Sequence, residues 1–331
     1  MTITTDIARP RNSYDWSGIA GPALATLMFG GVVGLIDLRL AADMLIYLTL
    51  AQLWNLLSGY AGLVSVGQQA FVGLGGYAFY YVAVGLGAPA LVAVASGGLA
   101  GLLAASLGSV FIFRLKGAYF AIGTWVVAEI CRLTISITPE LGGGSGASLP
   151  VNVVKALGAT RYFRDISFAI IALMIAVVTV LSIVLLLRSR YGIALIAIRD
   201  SERAAEALGV DSLKIKRSVY IGVAFATGLI GALIFLMKLR MTPDAAFSVL
   251  DWTAYVLFIV VIGGSGRLEG PFIGTIVFFL LRALFAGFGP IYLVILGAVA
   301  VLVMLFAPEG IWGQIAKRTR WELFPIRRRR P

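Results

Sequence analysis

Residues Ile166–Leu187 read ISFAIIALMIAVVTVLSIVLLL, without a charge, and stop at Arg188. At 1.5 Å per residue a helix of this length reaches about 33 Å. That is enough to cross roughly 30 Å of bilayer hydrocarbon. Comparable apolar runs occur at Ala20–Ile36, Ala41–Leu57, Gln69–Leu86, Pro89–Phe113, Gly117–Ser136, Ser218–Met237, Trp252–Gly263, Pro271–Phe288 and Ile291–Ala307. The expected fold is an all-α, polytopic transmembrane bundle of about ten (eight to ten) helices. The Trp252–Gly263 run is short enough to be re-entrant.

Composition agrees. Hydrophobic residues make up 60% of the 331 residues, charged residues 13%, and mean hydropathy is +0.96. A soluble domain could not hide so much apolar surface. The chain has no His and one Cys, Cys131, which removes Ser-His and Cys-His nucleophile pairs and any disulfide within the chain. The net charge of +11 is concentrated in Arg188–Arg217 and in the tail from Lys317 to Arg330. Such clusters read as cytoplasmic charges beside anionic lipid, not as a nucleic-acid footprint. Placing them inside puts both termini in the cytoplasm, together with Arg9, Arg11, Arg114, Lys116 and Arg267. The main outer loop is then 137–165, whose Gly142–Gly146 run reads as flexible. Met1–Trp16 lacks the apolar core of a cleavable signal peptide. Three parts are expected: an N-terminal cytoplasmic tail (1–18), a transmembrane domain (19–313) carrying a polar loop at 188–217, and a basic cytoplasmic tail (314–331).

Within that loop, Asp200–Gly209 has helical periodicity. Arg199, Glu202, Arg203 and Glu206 fall on one face, and Ser201, Ala204, Ala205 and Leu208 on another. Asp200 is placed to cap the start and Gly209 to end the helix in a left-handed conformation. About eight residues cannot hold a helix alone in water. The Ala-rich face therefore calls for a soluble protein partner at the membrane surface.

Two Gly-rich stretches interrupt the apolar sequence. Gly59–Phe71 contains Ser65, Gly67, Gln68 and Gln69, and Gly263–Pro271 contains four glycines before Pro271. Polar backbone at membrane depth survives only where protein or a water-filled cavity covers it. Broken helices of this kind often line a translocation route, which makes Ser65, Gly67, Gln68, Gln69 and Phe71 candidate path residues; tight packing or a turn explains them equally well. Glu129 and Arg132 can neutralise each other at i, i+3, as can Arg39 and Asp43 at i, i+4, and Glu129 is a further candidate on the path. Arg282 has no local partner. Gly30/Gly34 and Gly97/Gly101 are helix-packing pairs. No P-loop occurs, and no acidic relay of the kind a proton-driven pump needs.

These stretches together resemble the membrane permeases of branched-chain amino acid ABC importers, the LivM-like branch. Gly62–Tyr77 is similar to that family's glycine-serine stretch, Leu115–Ile122 with Glu129-Ile130 to a helix, and Tyr191–Gly209 to its cytoplasmic loop. Gly263–Gly274 and Pro308–Gly313 match its C-terminal segments. The chain departs from the pattern at Gln68-Gln69, where the family shows His-Ala, and in an outer loop without the family's Thr and Asn. Permeases for urea, short amides and other small solutes share the scaffold, so the substrate stays open between these and branched-chain amino acids.

The resemblance implies a permease subunit in a bacterial inner membrane that is not itself an enzyme and has no cofactor. ATP would be bound by two cytoplasmic ATPase subunits. The other implied partners are a homologous second permease and a periplasmic substrate-binding protein. Asp200, Ser201, Glu202, Ala204, Ala205, Glu206, Leu208 and Gly209 would form the coupling helix seated in an ATPase. The competing classes are an ion-coupled secondary transporter, disfavoured by the missing relay, and an intramembrane enzyme, disfavoured by the missing His. The orientation is testable by cysteine labelling in a Cys131→Ala background. A membrane-impermeant thiol reagent applied to the periplasmic side should label Ser148→Cys and spare Ser201→Cys; the reverse pattern would invert the topology.

Overall fold

The computed structural model describes residues 17–151, 153, 160–289, 291–319 and 324. The expectations for Met1–Trp16 and for Arg327–Arg330 lie outside the described residues. Helices α1 (Ser17–Gly34), α2 (Leu38–Asn55), α3 (Gln68–Tyr80), α4 (Ala90–Ile112) and α5 (Ala118–Ser136) come first. The long α6 (Arg161–Arg188) leads into α7 (Arg190–Asp200) and α8 (Glu202–Ala207). The chain continues through α9 (Ser212–Lys238), α10 (Pro243–Ala246), α11 (Tyr255–Gly263), α12 (Gly270–Phe285), α13 (Ile291–Phe306) and α14 (Gly310–Thr319). Among the described residues the strands are β1 (Ala147–Ser148) and β2 (Arg240–Met241).

Among the described residues seven stretches are long and apolar enough to cross a membrane: Leu38–Tyr60, Ala90–Ile112, Ala118–Ser136, Arg161–Arg188, Ser212–Lys238, Pro243–Gly263 and Ile291–Lys317. The protein is thus a multi-pass helical membrane protein. The Trp252–Gly263 run is part of a longer stretch, because α10 and a π turn at Leu250–Ala254 extend α11 outward. Further π turns end α2 (Leu56–Tyr60) and α3 (Tyr81–Gly85). α14 carries the chain across the expected 313/314 boundary without a break.

Two helices form the axis of the bundle. The apolar window of Leu38–Tyr60 is 89% buried and that of Ser212–Lys238 is 72% buried, whereas that of Ile291–Lys317 is 6% buried. Glycine permits the closest crossings. A Cβ on Gly228 of α9 would stand 2.2 Å from the Gly97 carbonyl oxygen, and one on Gly75 of α3 would stand 2.2 Å from the Gly228 carbonyl oxygen. Gly101 meets the Ala224 carbonyl of α9 in the same way. The Gly97/Gly101 pair is therefore the α4–α9 seam, where small residues replace the hydrophobic drive that lipid removes.

The turns between the long helices gather at two ends. At one end β1 pairs with β2, Ala147 opposite Met241 and Ser148 opposite Arg240. Arg240 Nη2 also donates to the Ser145 carbonyl at 3.3 Å, and Tyr77 OH to the Met241 carbonyl at 3.3 Å. The Gly142–Gly146 run, expected to be flexible, is instead a pinned series of tight turns with Gly142, Gly143 and Gly146 at positive φ. The expected Arg39–Asp43 pair does not form. Asp37 caps α2 by accepting from the Arg39 N–H at 2.8 Å, and Arg39 Nη2 reaches the Met237 carbonyl at 3.4 Å. The other end collects Arg114, Lys116, Arg188, Arg190, Arg199, Arg203, Lys214, Lys216, Arg217 and Arg267 on and around its turns.

Gly228 and Gly222 make a controlled pair on one helix, since a Cβ on Gly222 meets nothing within 4 Å. Gly228→Leu should lower stability by about 1–3 kcal/mol through overpacking, while Gly222→Ala leaves it unchanged or raises it. Thermal unfolding of the purified chain followed by tryptophan fluorescence compares the two; equal midpoints would refute the glycine seam.

Candidate coupling and translocation site

The polar loop 188–217 is two capped helices, not one. Ser189 accepts from the Tyr191 N–H at 3.1 Å and starts α7. Asp200 is the last residue of α7, so it is not the cap expected from the sequence. Ser201 takes that role in an extended conformation, its Oγ accepting from the Ala204 N–H at 3.4 Å. At the far end Gly209 has φ +84, its N–H bonds to the Glu206 carbonyl at 2.9 Å, and the Val210 N–H bonds to the Ala205 carbonyl at 3.1 Å. This pair of bonds is a Schellman termination. Double capping explains how α8 persists with six residues.

The two faces read from the sequence are redistributed. Ala205 is 2% exposed, packed against its own chain, so it is unavailable to a partner. Ala204 and Leu208 remain outside, and Leu208 is 84% exposed. Glu202 Oε1 pairs with Lys216 Nζ of α9 at 2.8 Å, tethering α8 to a central helix. Arg199 leaves the charged face altogether: it pairs with Asp200 and donates from Nη1 to the Gly59 carbonyl at 2.8 Å. Glu206 stays exposed.

The Gly59 contact leads into the first break. From Ala61 to Gly67 the chain is irregular, held by Trp54 Nε1 donating to the Ser65 carbonyl at 2.9 Å and by the Val66 N–H donating to Thr124 Oγ1 at 3.0 Å. Ser65 Oγ accepts from the Gly67 N–H at 3.3 Å. Gly67 must be glycine, because a Cβ there would stand 2.4 Å from the Thr124 carbonyl oxygen. α3 then begins, with Gln68 Oε1 accepting from Thr227 Oγ1 of α9 and Gln69 Oε1 accepting from Thr253 Oγ1. Phe71 lies edge-on to Tyr220 at 5.6 Å.

Ser65, Gln68, Gln69 and Phe71 are all buried, and they brace helices against one another. Five buried polar atoms near the break have no hydrogen-bond partner: Gln52 Oε1, Ser58 Oγ, Tyr60 OH and the Nε2 atoms of Gln68 and Gln69. A group of this kind left without water or any other partner costs about 1–3 kcal/mol, and among the described residues most such atoms cluster at the break.

The second break docks on the first. Asn55 Oδ1 accepts from the Gly266 N–H at 2.7 Å, Asn55 Nδ2 donates to the Arg267 carbonyl at 2.8 Å, and Gln52 Nε2 donates to the Leu268 carbonyl at 2.7 Å. Gly59 permits this approach, since a Cβ would lie 2.4 Å from the Gly266 nitrogen. Gln52 and Asn55 were not singled out from the sequence. Their signal is two amides at i, i+3 on an otherwise apolar helix.

A cavity of about 570 Å3 joins the two sets of candidates. Gly62, Leu63 and Val64 of the break line one side, Lys116 and Gly117 of the α4–α5 turn another, and Glu202, Glu206 and Lys216 a third. Glu129 stands apart from it. Its carboxylate takes the Arg132 Nε at 2.9 Å, and Arg132 also bonds Asp244 of α10, so the triad fastens α5 to the outer end. Among the described residues no group of three or more acidic or Cys side chains is placed to hold a metal.

The comparisons agree with this architecture. A family model described as "Branched-chain amino acid transport system / permease component" matches residues 19–308. The high-affinity branched-chain amino acid transport system permease protein LivM of Escherichia coli is 29% identical over 298 residues, covering 81% of this chain and 68% of its own. The protein of the same description from Salmonella typhimurium is 29% identical over 303 residues, covering 82% and 69%. A probable branched-chain amino acid transport permease protein LivM from Methanocaldococcus jannaschii is 28% identical over 235 residues, covering 64% and 66%. No solved structure matches. With its broken helices, doubly capped loop helix and a family match across most of its length, this chain belongs to the branched-chain amino acid transport system permease family.

Proposed function

We propose that the chain is one of a pair of permease subunits in a bacterial inner-membrane ABC importer for branched-chain amino acids. In this reading it crosses the membrane about ten times, with both termini and the basic loop end in the cytoplasm. A homologous permease completes the path, a periplasmic binding protein delivers the solute, and two ATPase subunits supply the energy.

The observation that carries the reading is the connection from α8 to the breaks. The exposed Ala204 and Leu208 surface is the apolar contact that α8 and its C-terminal cap offer an ATPase, beside exposed Arg203 and Glu206. Its other side is fastened at Glu202–Lys216, and Arg199, at the end of α7 beside it, reaches the Gly59 carbonyl. Closure of the ATPases would displace α7 and α8 together, pull on Gly59 and shift the break whose polar atoms are already under-satisfied. That is a rigid-body switch between inward- and outward-open states. Solute selection would rest mainly with the binding protein, so the permease needs no deep pocket of its own.

Two measurements test the reading. Leu208→Glu introduces a charge on the proposed ATPase contact and should reduce co-purification of the ATPase subunits at least tenfold, while the permease stays in the membrane. Ala205→Arg should instead destabilise the permease itself, because it forces a cation into a buried site, and thermal unfolding separates the two effects. Normal ATPase retention and normal uptake with Leu208→Glu would remove α8 as the contact. Uphill uptake by this chain alone under an ion gradient would favour a secondary transporter.

A further inference from the structure

Between α6 and α9 the bundle leaves a groove of about 700 Å3, floored by Leu53 and Leu56 of α2. Met174, Val178 and Leu186 line the α6 wall, and Gly222, Phe225 and Leu229 line the α9 wall. Both of its serine hydroxyls are already used within their own helices. Ser182 Oγ donates to the Val178 carbonyl at 2.7 Å and Ser218 Oγ to the Lys214 carbonyl at 2.8 Å. Gly222 widens the groove, since a Cβ there meets nothing within 4 Å.

One end is charged. Tyr191 lines the groove and carries the Arg190 guanidinium over its ring at 5.8 Å. Lys214 lies one turn before Ser218, its side chain 82% exposed and 3.6 Å from Asp211, an exposed pair that holds the ammonium only weakly. Arg190 and Lys214 both stand at the basic end of the bundle.

Length and charge select the occupant. From Met174 to Leu186 is roughly 18 Å along α6, close to the half-thickness of a bilayer whose hydrocarbon is about 30 Å deep. An apolar groove of that length with Arg190 and Lys214 beside its basic end is complementary to a molecule with a hydrocarbon chain and an anionic head. We propose that this groove seats an acyl chain of an anionic phospholipid, with its phosphate held by Arg190 and Lys214. Juxtamembrane basic residues attract such headgroups at the cytoplasmic leaflet.

The full chain in nanodiscs of equal phosphatidylglycerol and phosphatidylcholine provides the test. Native mass spectrometry after release should show phosphatidylglycerol retained preferentially. Gly222→Phe, which fills the groove, should cut retention about tenfold, and Arg190→Gln with Lys214→Gln should abolish the preference between the two lipids. Unchanged retention and preference in both variants would overturn the proposal. Phosphatidylglycerol carrying a diazirine in its acyl chain tests the unaltered protein, independently of whether Gly222→Phe folds. Adducts concentrated on 174–186 and 222–229 support the groove, and adducts spread evenly over α4, α5 and α13 refute it. Efficient cross-linking of Gly222→Cys to a second permease chain would also refute it, by giving the groove to a partner.

Discussion

Backbone groups left unpaired away from water cost several kcal/mol each, and this constraint shapes the basic end of the bundle, where the two breaks meet. Two helices are broken here, and the breaks answer each other. The Asn55 and Gln52 amides of α2 take up the Gly266, Arg267 and Leu268 backbone groups, and the hydroxyl of Thr124 and the carbonyl of Ser65 close the other side. Because α2 supplies the amides, it must lie at the axis, and its 89% burial follows. Close packing of α3, α4 and α9 through glycine then fixes where Gln68 meets Thr227.

The breaks also determine what the basic loop can do. Arg199 is the one side chain of that loop seen to enter the break, and it does so through a backbone carbonyl, not a charge. A carbonyl contact transmits displacement whatever the protonation of its surroundings. Glu202–Lys216 sets the angle of α8 against α9, and the cavity between α8 and Gly62–Val64 leaves room for the helix to move inward. On the proposed reading, coupling is mechanical: the loop helices act as a lever on a core that retains unpaired polar atoms.

Much of the architecture was legible in the sequence because lipid enforces it. Each apolar run predicted to span is helical, the Gly97/Gly101 pair is a packing seam, and Pro271 opens α12. The Gly209 termination followed from its lack of a Cβ. The misreadings came from three-dimensional context. Asp200 lost the cap to Ser201 because α7 continues through it, and Ala205 faces inward on a helix that Glu202–Lys216 tethers to α9. Gly142–Gly146 folds into tight turns beside β1, which pairs with β2, distant in sequence. Of the candidate site, the glycines and glutamines were visible as interruptions, but their partners Thr124, Thr227 and Thr253 look ordinary on apolar helices. Nor could one sequence reveal that the two breaks touch.

The central claim is that the α7–α8 loop and the first break move as one body through Arg199. The direct measurement is the ratio of solute taken up to ATP hydrolysed in proteoliposomes of the whole importer, comparing the unaltered permease with Arg199→Met. The account predicts that the variant assembles and hydrolyses ATP at a rate near normal while uptake per ATP falls at least tenfold. An unchanged ratio, with the complex intact, would show that force reaches the membrane by another route.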